Sequence, residues 1–230
     1  MTAITEYAKL VKLNSKSAGR GIQANITLPT SVTFNGNTGN YVNFYLGGFT
    51  QAECGLSYRK GNAGFRWFAN DWSGTVGSGS WGEFALGQTV NLKLVVDEPD
   101  ASDPNKELFV RFYVNGAEKM KYTYTKYKKG QTDSNLRLVL AAGSSTYYPQ
   151  LSQMPAWDVW HSQVAATGLK IKNTSSNTWT ALTGSNSTLS NLHWPLKEHT
   201  DTPIPCPNPQ NYILDSSYLY SSTVYASLKQ

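Results

Sequence analysis

Apolar residues recur at every second position along most of this chain, and that alternation limits its fold more than any other feature. In Val90 to Val96 and in Leu108 to Val114 the apolar side chains collect on one side of the segment, the pattern of a half-buried strand. No window carries a convincing helical stripe longer than the first dozen residues, so the chain reads as all-β. The pattern predicts strands over Gly21 to Leu28, Tyr41 to Leu46, Cys54 to Arg59, Phe65 to Ala69, Val90 to Val96 and Leu108 to Val114. It predicts more over Lys119 to Thr125, Leu136 to Ala141, Gly168 to Lys172 and, in one or two pieces, Tyr212 to Tyr225. Clusters of Gly, Asn, Asp, Pro and Ser separate them, as turns require. Asn115-Gly116 is the sharpest local signal, because Asn-Gly supplies the two positive φ angles of a type I′ hairpin turn.

The composition, 40% hydrophobic and 13% aromatic with 19 glycines, suits an antiparallel two-sheet sandwich. Neither an internal repeat nor a dividing linker interrupts the 230 residues, so one domain is expected over 1–230. Charged residues make up 15%, below the roughly 25% of soluble domains, which suits a neutral-polar surface. The net charge of +5 favours anionic partners only weakly. Nothing approaches the apolar length of a membrane span. From Asn173 to Pro209, loops or short edge strands are expected.

The segment CGLSYRKGNAGFRWFA, from Cys54 to Ala69, reads as a hairpin turning at Gly61-Asn62. That register sets Tyr58 opposite Phe65, Leu56 opposite Trp67 and Cys54 opposite Ala69. Those six side chains form a core face. The other face collects Glu53, Ser57, Arg59, Arg66, Phe68 and Asn70, a mixture too polar to bury. A one-residue slip would exchange the two sets.

From Val90 to Thr125 an alternating strand, an acidic loop, a strand ending in Val-Asn-Gly and a return strand follow one another. This layout resembles the concanavalin A-like jelly rolls, including laminin-G-like lectin modules and glucanase sandwiches. Val164 to Trp179 resembles the penultimate strand of such domains, with Leu169 and Ile171 inward. The resemblance implies a jelly-roll topology and a concave sheet or rim loops that commonly bind carbohydrate.

Sugar recognition requires aromatic faces and planar polar groups. Phe68, Asn70, Asp71 and Trp72, with Glu53 and Arg66, supply that mixture and form the expected ligand site. The plainer alternative is a surface pair of Glu53 with Arg66 and a Trp72 packed beneath a loop. A second aromatic cluster, with Trp157, Asp158, Trp160 and His161, reads as a rim loop or as a plug closing the sandwich. No catalytic set is assigned. The Glu-x-Asp-x-Glu strand of jelly-roll glucanases does not occur. The segment TKYKKGQ, with Tyr127, Lys129 and Gly130, only faintly matches an alginate-lyase pattern, and its Gln-x-His partner is missing. The expectation is therefore a non-catalytic, lectin-like carbohydrate-binding protein. An anionic-polysaccharide lyase or glycoside hydrolase and a protein-binding adhesion protein are the alternatives.

No cofactor is expected. The one metal option is calcium at Asp97, Glu98, Asp100, Asp103 and Glu107, which lack EF-hand spacing. His161, His193 and His199 lack zinc spacing. Lys119, Lys121, Lys126, Lys128 and Lys129, interleaved with Tyr122, Tyr124 and Tyr127, read as a solvated hairpin; nucleic acid is not expected. Cys54 and Cys206 form one bridge or remain two thiols. The first residues lack the apolar stretch of a signal peptide. Low charge and sequons at Asn25, Asn173 and Asn186 favour a secreted or cell-surface protein whose signal has been removed.

Overall fold

The computed structural model describes residues 4–35, 39–49, 52–71, 74–98, 102–103, 105–123, 136–144, 159–174, 177–197, 213–215 and 222–228, with backbone alone at 4–7, 191–197 and 213–215. Sixteen strands occur in these segments. They are β1 (Ile4–Ser15), β2 (Gly21–Thr27), β3 (Val32–Phe34), β4 (Asn40–Gly48), β5 (Ala52–Arg59), β6 (Arg66–Asp71), β7 (Gly74–Ser78) and β8 (Thr89–Val96). There follow β9 (Phe109–Val114), β10 (Ala117–Thr123), β11 (Arg137–Ser144), β12 (Val159–Lys172), β13 (Trp179–Ala181), β14 (Ser187–Lys197), β15 (Ile213–Asp215) and β16 (Val224–Leu228).

The strands form two antiparallel sheets. The first has seven strands in the order β14-β1-β11-β4-β5-β6-β7. The second has the order β10-β9-β8-β2-β12-β16-β15, with β3 and β13 also paired to β12. The chain passes repeatedly between them: β1 lies in the first, β2 in the second, β4 to β7 in the first, and β8 to β10 in the second. This alternation continues to the last strand and gives the expected jelly-roll sandwich.

The period-two pattern accounts for the core. Alternate residues Val42, Phe44 and Leu46 of β4, Leu138 and Leu140 of β11, and Cys54 and Leu56 of β5 are buried in one cluster. They meet Ile22, Ala24 and Ile26 of β2, Leu92 and Leu94 of β8, and Val110 and Phe112 of β9 from the other sheet. Burying each large apolar side chain contributes about 1.5–3 kcal/mol. Between β9 and β10 the predicted turn is present, with φ of 50° at Asn115 and 80° at Gly116 and Ala117 opposite Val114.

Three differences from expectation have physical reasons. The helix-like stripe of the first dozen residues is β1, whose strand character comes from pairing with β11 and β14 on either side. Tertiary pairing overrides a weak local period. In the region expected to hold loops and short edge strands, β14 is a strand of eleven residues, because it pairs along β1 from Ser187 to Lys197. Only the last five residues of β12 were expected; the strand starts at Val159. Register shifts at His161/Val164 against β16 and at Thr167/Lys170 against β2 break its alternation. Among the described residues no helix is long and apolar enough to cross a membrane.

Candidate functional site

The face of the first sheet turned away from the second sheet carries a small apolar cluster of its own, Leu10, Val139 and Ala141 with Tyr45. Strand register arranges its side chains in ranks. One rank runs Arg137, Gly47, Glu53, Asn70 across β11, β4, β5 and β6. The next runs Lys12, Val139, Tyr45, Gly55, Phe68, Ser78. The third runs Leu10, Ala141, Asn43, Ser57, Arg66. Tyr41 and Arg59 continue the same face beyond it.

Gly47 is the opening in the first rank. A Cβ there would stand 2.7 Å from Arg137 Nε, so only glycine lets this side chain cross β4. Arg137 Nη2 thus donates to Glu53 Oε1 at 3.1 Å, two strands away. The two side chains are 17% and 35% exposed. Partly exposed pairs typically contribute about 0.2–1 kcal/mol to stability.

Beside the pair the second rank is largely apolar, with Val139, Tyr45 and Phe68 around Gly55, and polar side chains return in the third rank. Asn43 Oδ1 is buried and has no hydrogen-bond partner among the described residues. Ser57 is buried beside it in the rank. At Gly55 a Cβ would overlap the Phe44 carbonyl oxygen and Tyr45 Cα, so the sheet is close-packed there. Arg66 Nη1 donates to Ser78 Oγ at 3.2 Å, and the guanidinium lies 4.0 Å from the Trp81 ring centroid. Burial, and then the charge of Arg59, push Arg66 below the ordinary guanidinium range.

The hairpin expectation is met at the level of faces. Leu56 faces Trp67 and Cys54 faces Ala69, while Tyr58 and Phe65 are ring neighbours at 5.2 Å, with Phe65 bridged to Phe84. Glu53, Arg66, Phe68 and Asn70 share the opposite face, as read from the sequence. Phe68 differs in character: it is 8% exposed, its ring packed edge-on 6.0 Å from Tyr45. Asp71 follows at the alternate position, half-buried and paired with Gly74. Trp72 lies outside the described residues. Glu53 pairs with Arg137 instead of Arg66.

Sequence reasoning missed Arg137, Gly47, Asn43 and Tyr45. Arg137 sits between inward Leu136 and Leu138, so alternation alone marks it as outward. Its meeting with Glu53 depends on sheet order, which a single strand does not encode.

The remaining candidates divide between packing and surface pairing. In the acidic loop Asp97 pairs with Arg111, Glu98 with Lys172, and Asp103 Oδ1 accepts from the Asn105 amide; Asp100 lies outside the described residues. Lys119 pairs with Glu83, and Lys121 lies 3.8 Å over Phe109. Lys126, Lys128, Lys129, Tyr124, Tyr127, Trp157, Asp158, His199 and Cys206 lie outside the described residues. Trp160 packs on the core and His161 is 3% exposed, so these two match the plug and not the rim. Cys54 is a buried free thiol. Asn173 Nδ2 donates to Thr178 and Thr180, and Asn186 Nδ2 to the Ala181 carbonyl.

No family model and no curated protein matches this sequence. Solved structures do match. Scytalido-glutamic peptidase bound to a transition-state analog inhibitor aligns over 99% of this chain and 100% of its own, with a TM-score of 0.57 and 10% identity. The same peptidase with a peptide-based analog gives 0.55 at 9% identity over the same shares. SCP-B, of the Eqolisin peptidases, in complex with the tripeptide Ala-Ile-His, gives 0.52 at 8% identity, again over 99% and 100%. Identities this low show a shared fold. The Caenorhabditis elegans galectin LEC-6 covers only 56% of this chain at a TM-score of 0.28.

These likenesses overturn the lectin-like, carbohydrate-binding expectation and the alternatives drawn with it. The structures matched end to end are peptidases. The physical reason is that alternation and an Asn-Gly turn specify a sandwich, and a sandwich hosts many unrelated sites.

Proposed function

We propose that this chain is a peptidase that takes an extended polypeptide across the outer face of the first sheet. The observation that carries the reading is the Glu53–Arg137 pair, placed over Gly47 at the end of the face where β4 finishes and β5 and β11 begin. Full-length likeness to two peptidases, held with peptide ligands or a transition-state analog, supports it. A carboxyl group is also the chemistry that a glutamic peptidase carries in its name.

The chemistry is amide hydrolysis. Glu53 Oε1 is held by Arg137, which leaves Oε2 to take a proton from water as the water oxygen bonds to the scissile carbonyl carbon. The Arg137 guanidinium has donors beyond the one on Glu53, and these stabilise the negative charge that develops on the carbonyl oxygen. Collapse breaks the C–N bond, and the proton passes from Glu53 to the leaving nitrogen. Tyr45 in the second rank and Asn43 in the third are the half-buried polar side chains of β4 that a peptide on this face would pass.

The test is digestion of unfolded protein substrates across acidic and neutral pH, with new N-termini read by mass spectrometry. Cleavage by the wild type that disappears in Glu53→Gln supports the reading. Intact substrate at every pH, or unchanged cleavage by Glu53→Gln, refutes it.

A further inference from the structure

Arg66 and Arg59 stand apart from the other arginines. The chain has five. Arg111 is paired with Asp97 and Glu118, Arg137 with Glu53, and Arg20 lies near the Glu98 and Asp97 charges. Among the described residues, neither Arg66 nor Arg59 has a carboxylate partner.

Their placement makes this costly. Arg59 lies two positions from Ser57 on β5, and Ser57 is directly opposite Arg66 on β6. Diagonal neighbours of this kind have Cα atoms roughly 7–8 Å apart, within reach of long side chains, and like charges repel. Arg66 is half-buried, its Nε is buried with no hydrogen-bond partner among the described residues, and its Nη1 reaches only the neutral Ser78 hydroxyl. Trp81 stacks on the guanidinium, which fixes the plane of the fork. A partly desolvated cation with a stacked guanidinium, an unused buried N–H and a second cation beside it is complementary to a planar anion.

We propose that Arg66, assisted by Arg59, is a carboxylate-binding subsite for the polypeptide that crosses this face. The ligand group is an Asp or Glu side chain, or the terminal carboxylate of the peptide. Arg66 lies in the rank beginning Leu10, Ala141, Asn43 and Ser57, two ranks from Glu53. The subsite therefore selects a residue displaced along the strands from the bond at Glu53. This assignment rests on the peptide-binding reading above.

The test compares synthetic peptides titrated against Glu53→Gln protein, so that cleavage does not intervene. Three peptides share one sequence: an amidated form with an internal Glu, the amidated form with Gln in its place, and the Gln form with a free terminal carboxylate. Fluorescence anisotropy at low salt reads affinity. A carboxylate peptide should bind roughly tenfold more tightly than the amidated Gln peptide. That advantage should disappear in Arg66→Gln, shrink in Arg59→Gln, and weaken as salt is raised. A gain confined to the internal Glu assigns the side chain, and a gain confined to the free terminus assigns the terminal carboxylate. Should Arg66→Gln fail to fold, Arg66→Lys, which keeps charge but loses the fork, and the exposed Arg59→Gln carry the comparison. Equal binding of all three peptides, or an advantage that survives at Arg66→Gln, overturns the subsite and leaves peptide binding standing. Failure of every peptide to bind overturns both.

Discussion

Arg137 reaches Glu53 across an intervening strand because Gly47 lies between them. The contact, 3.1 Å from Nη2 to Oε1, joins β11 to β5 over β4 on the outer face of the sheet. The pair is too exposed to be a large stabiliser, so its effects on folding and on activity should separate.

Arg137→Met tests that separation. Stability to urea should change by no more than about 1 kcal/mol, the ordinary value of a partly exposed pair, while peptide cleavage is lost. Gly47→Ala should do both: its Cβ would meet the guanidinium at 2.7 Å, costing about 1–3 kcal/mol and displacing Arg137. Urea midpoints and cleavage rates of the two variants check this.

Phe68 lies on the polar face, yet it packs against Tyr45 and is 8% exposed. Phe68→Ala should therefore lower unfolding stability by about 3 kcal/mol, as truncation of a buried aromatic does. Chemical denaturation followed by circular dichroism measures it. A loss of under about 1 kcal/mol would show that the ring contributes little to packing.

His161 should make the fold acid-sensitive. Burial lowers it to about 4, opposed by Nδ1 donation to the Ser162 carbonyl, and the ring lies edge-on 5.6 Å from Phe44. An unfolded histidine titrates near 6.5. Between about 6.5 and about 4 the unfolded chain therefore binds more protons, and stability falls as pH falls through that window. At 1.36 kcal/mol per pH unit the loss amounts to roughly 3 kcal/mol, complete near pH 4. His161→Gln should remove most of this slope, as measured by urea unfolding at a series of pH values.

Cys54 should be unreactive until the chain opens. It is fully buried, and burial pushes its thiol well above the ordinary range, so the reactive thiolate is scarce. Iodoacetamide labelling mapped to the Cys54 peptide should be slow in buffer and rise with urea along the unfolding curve. Rapid labelling of the native protein at Cys54 would contradict the packing.

The two faces of the β5–β6 hairpin were legible in the sequence because alternation within one local pairing decides them. Glu53, Arg66, Phe68 and Asn70 fall together for that reason. The Asn115-Gly116 turn was legible for a similar one, since its backbone demands are met by two adjacent residues. What alternation does not encode is which strands become neighbours. Arg137 lies 84 residues from Glu53, and only the order β11-β4-β5 brings them together. The same gap hid the strand character of β1, which pairs with β11 and β14, and of β14, which pairs with β1. Function was least legible, because Phe68, read as an aromatic face of the ligand site, is packed against Tyr45.

Gly47 has one more consequence, for how the sheet assembles. A slip of β4 by two residues would keep every side chain on its own face, and the apolar pattern offers little defence against it. Such a slip would put Tyr45 or Phe49 at the position over which Arg137 crosses. Either side chain would block the guanidinium. Gly47 thus acts as an alignment notch, distinguishing the native threading of β4 from the shifted one that hydrophobicity would accept.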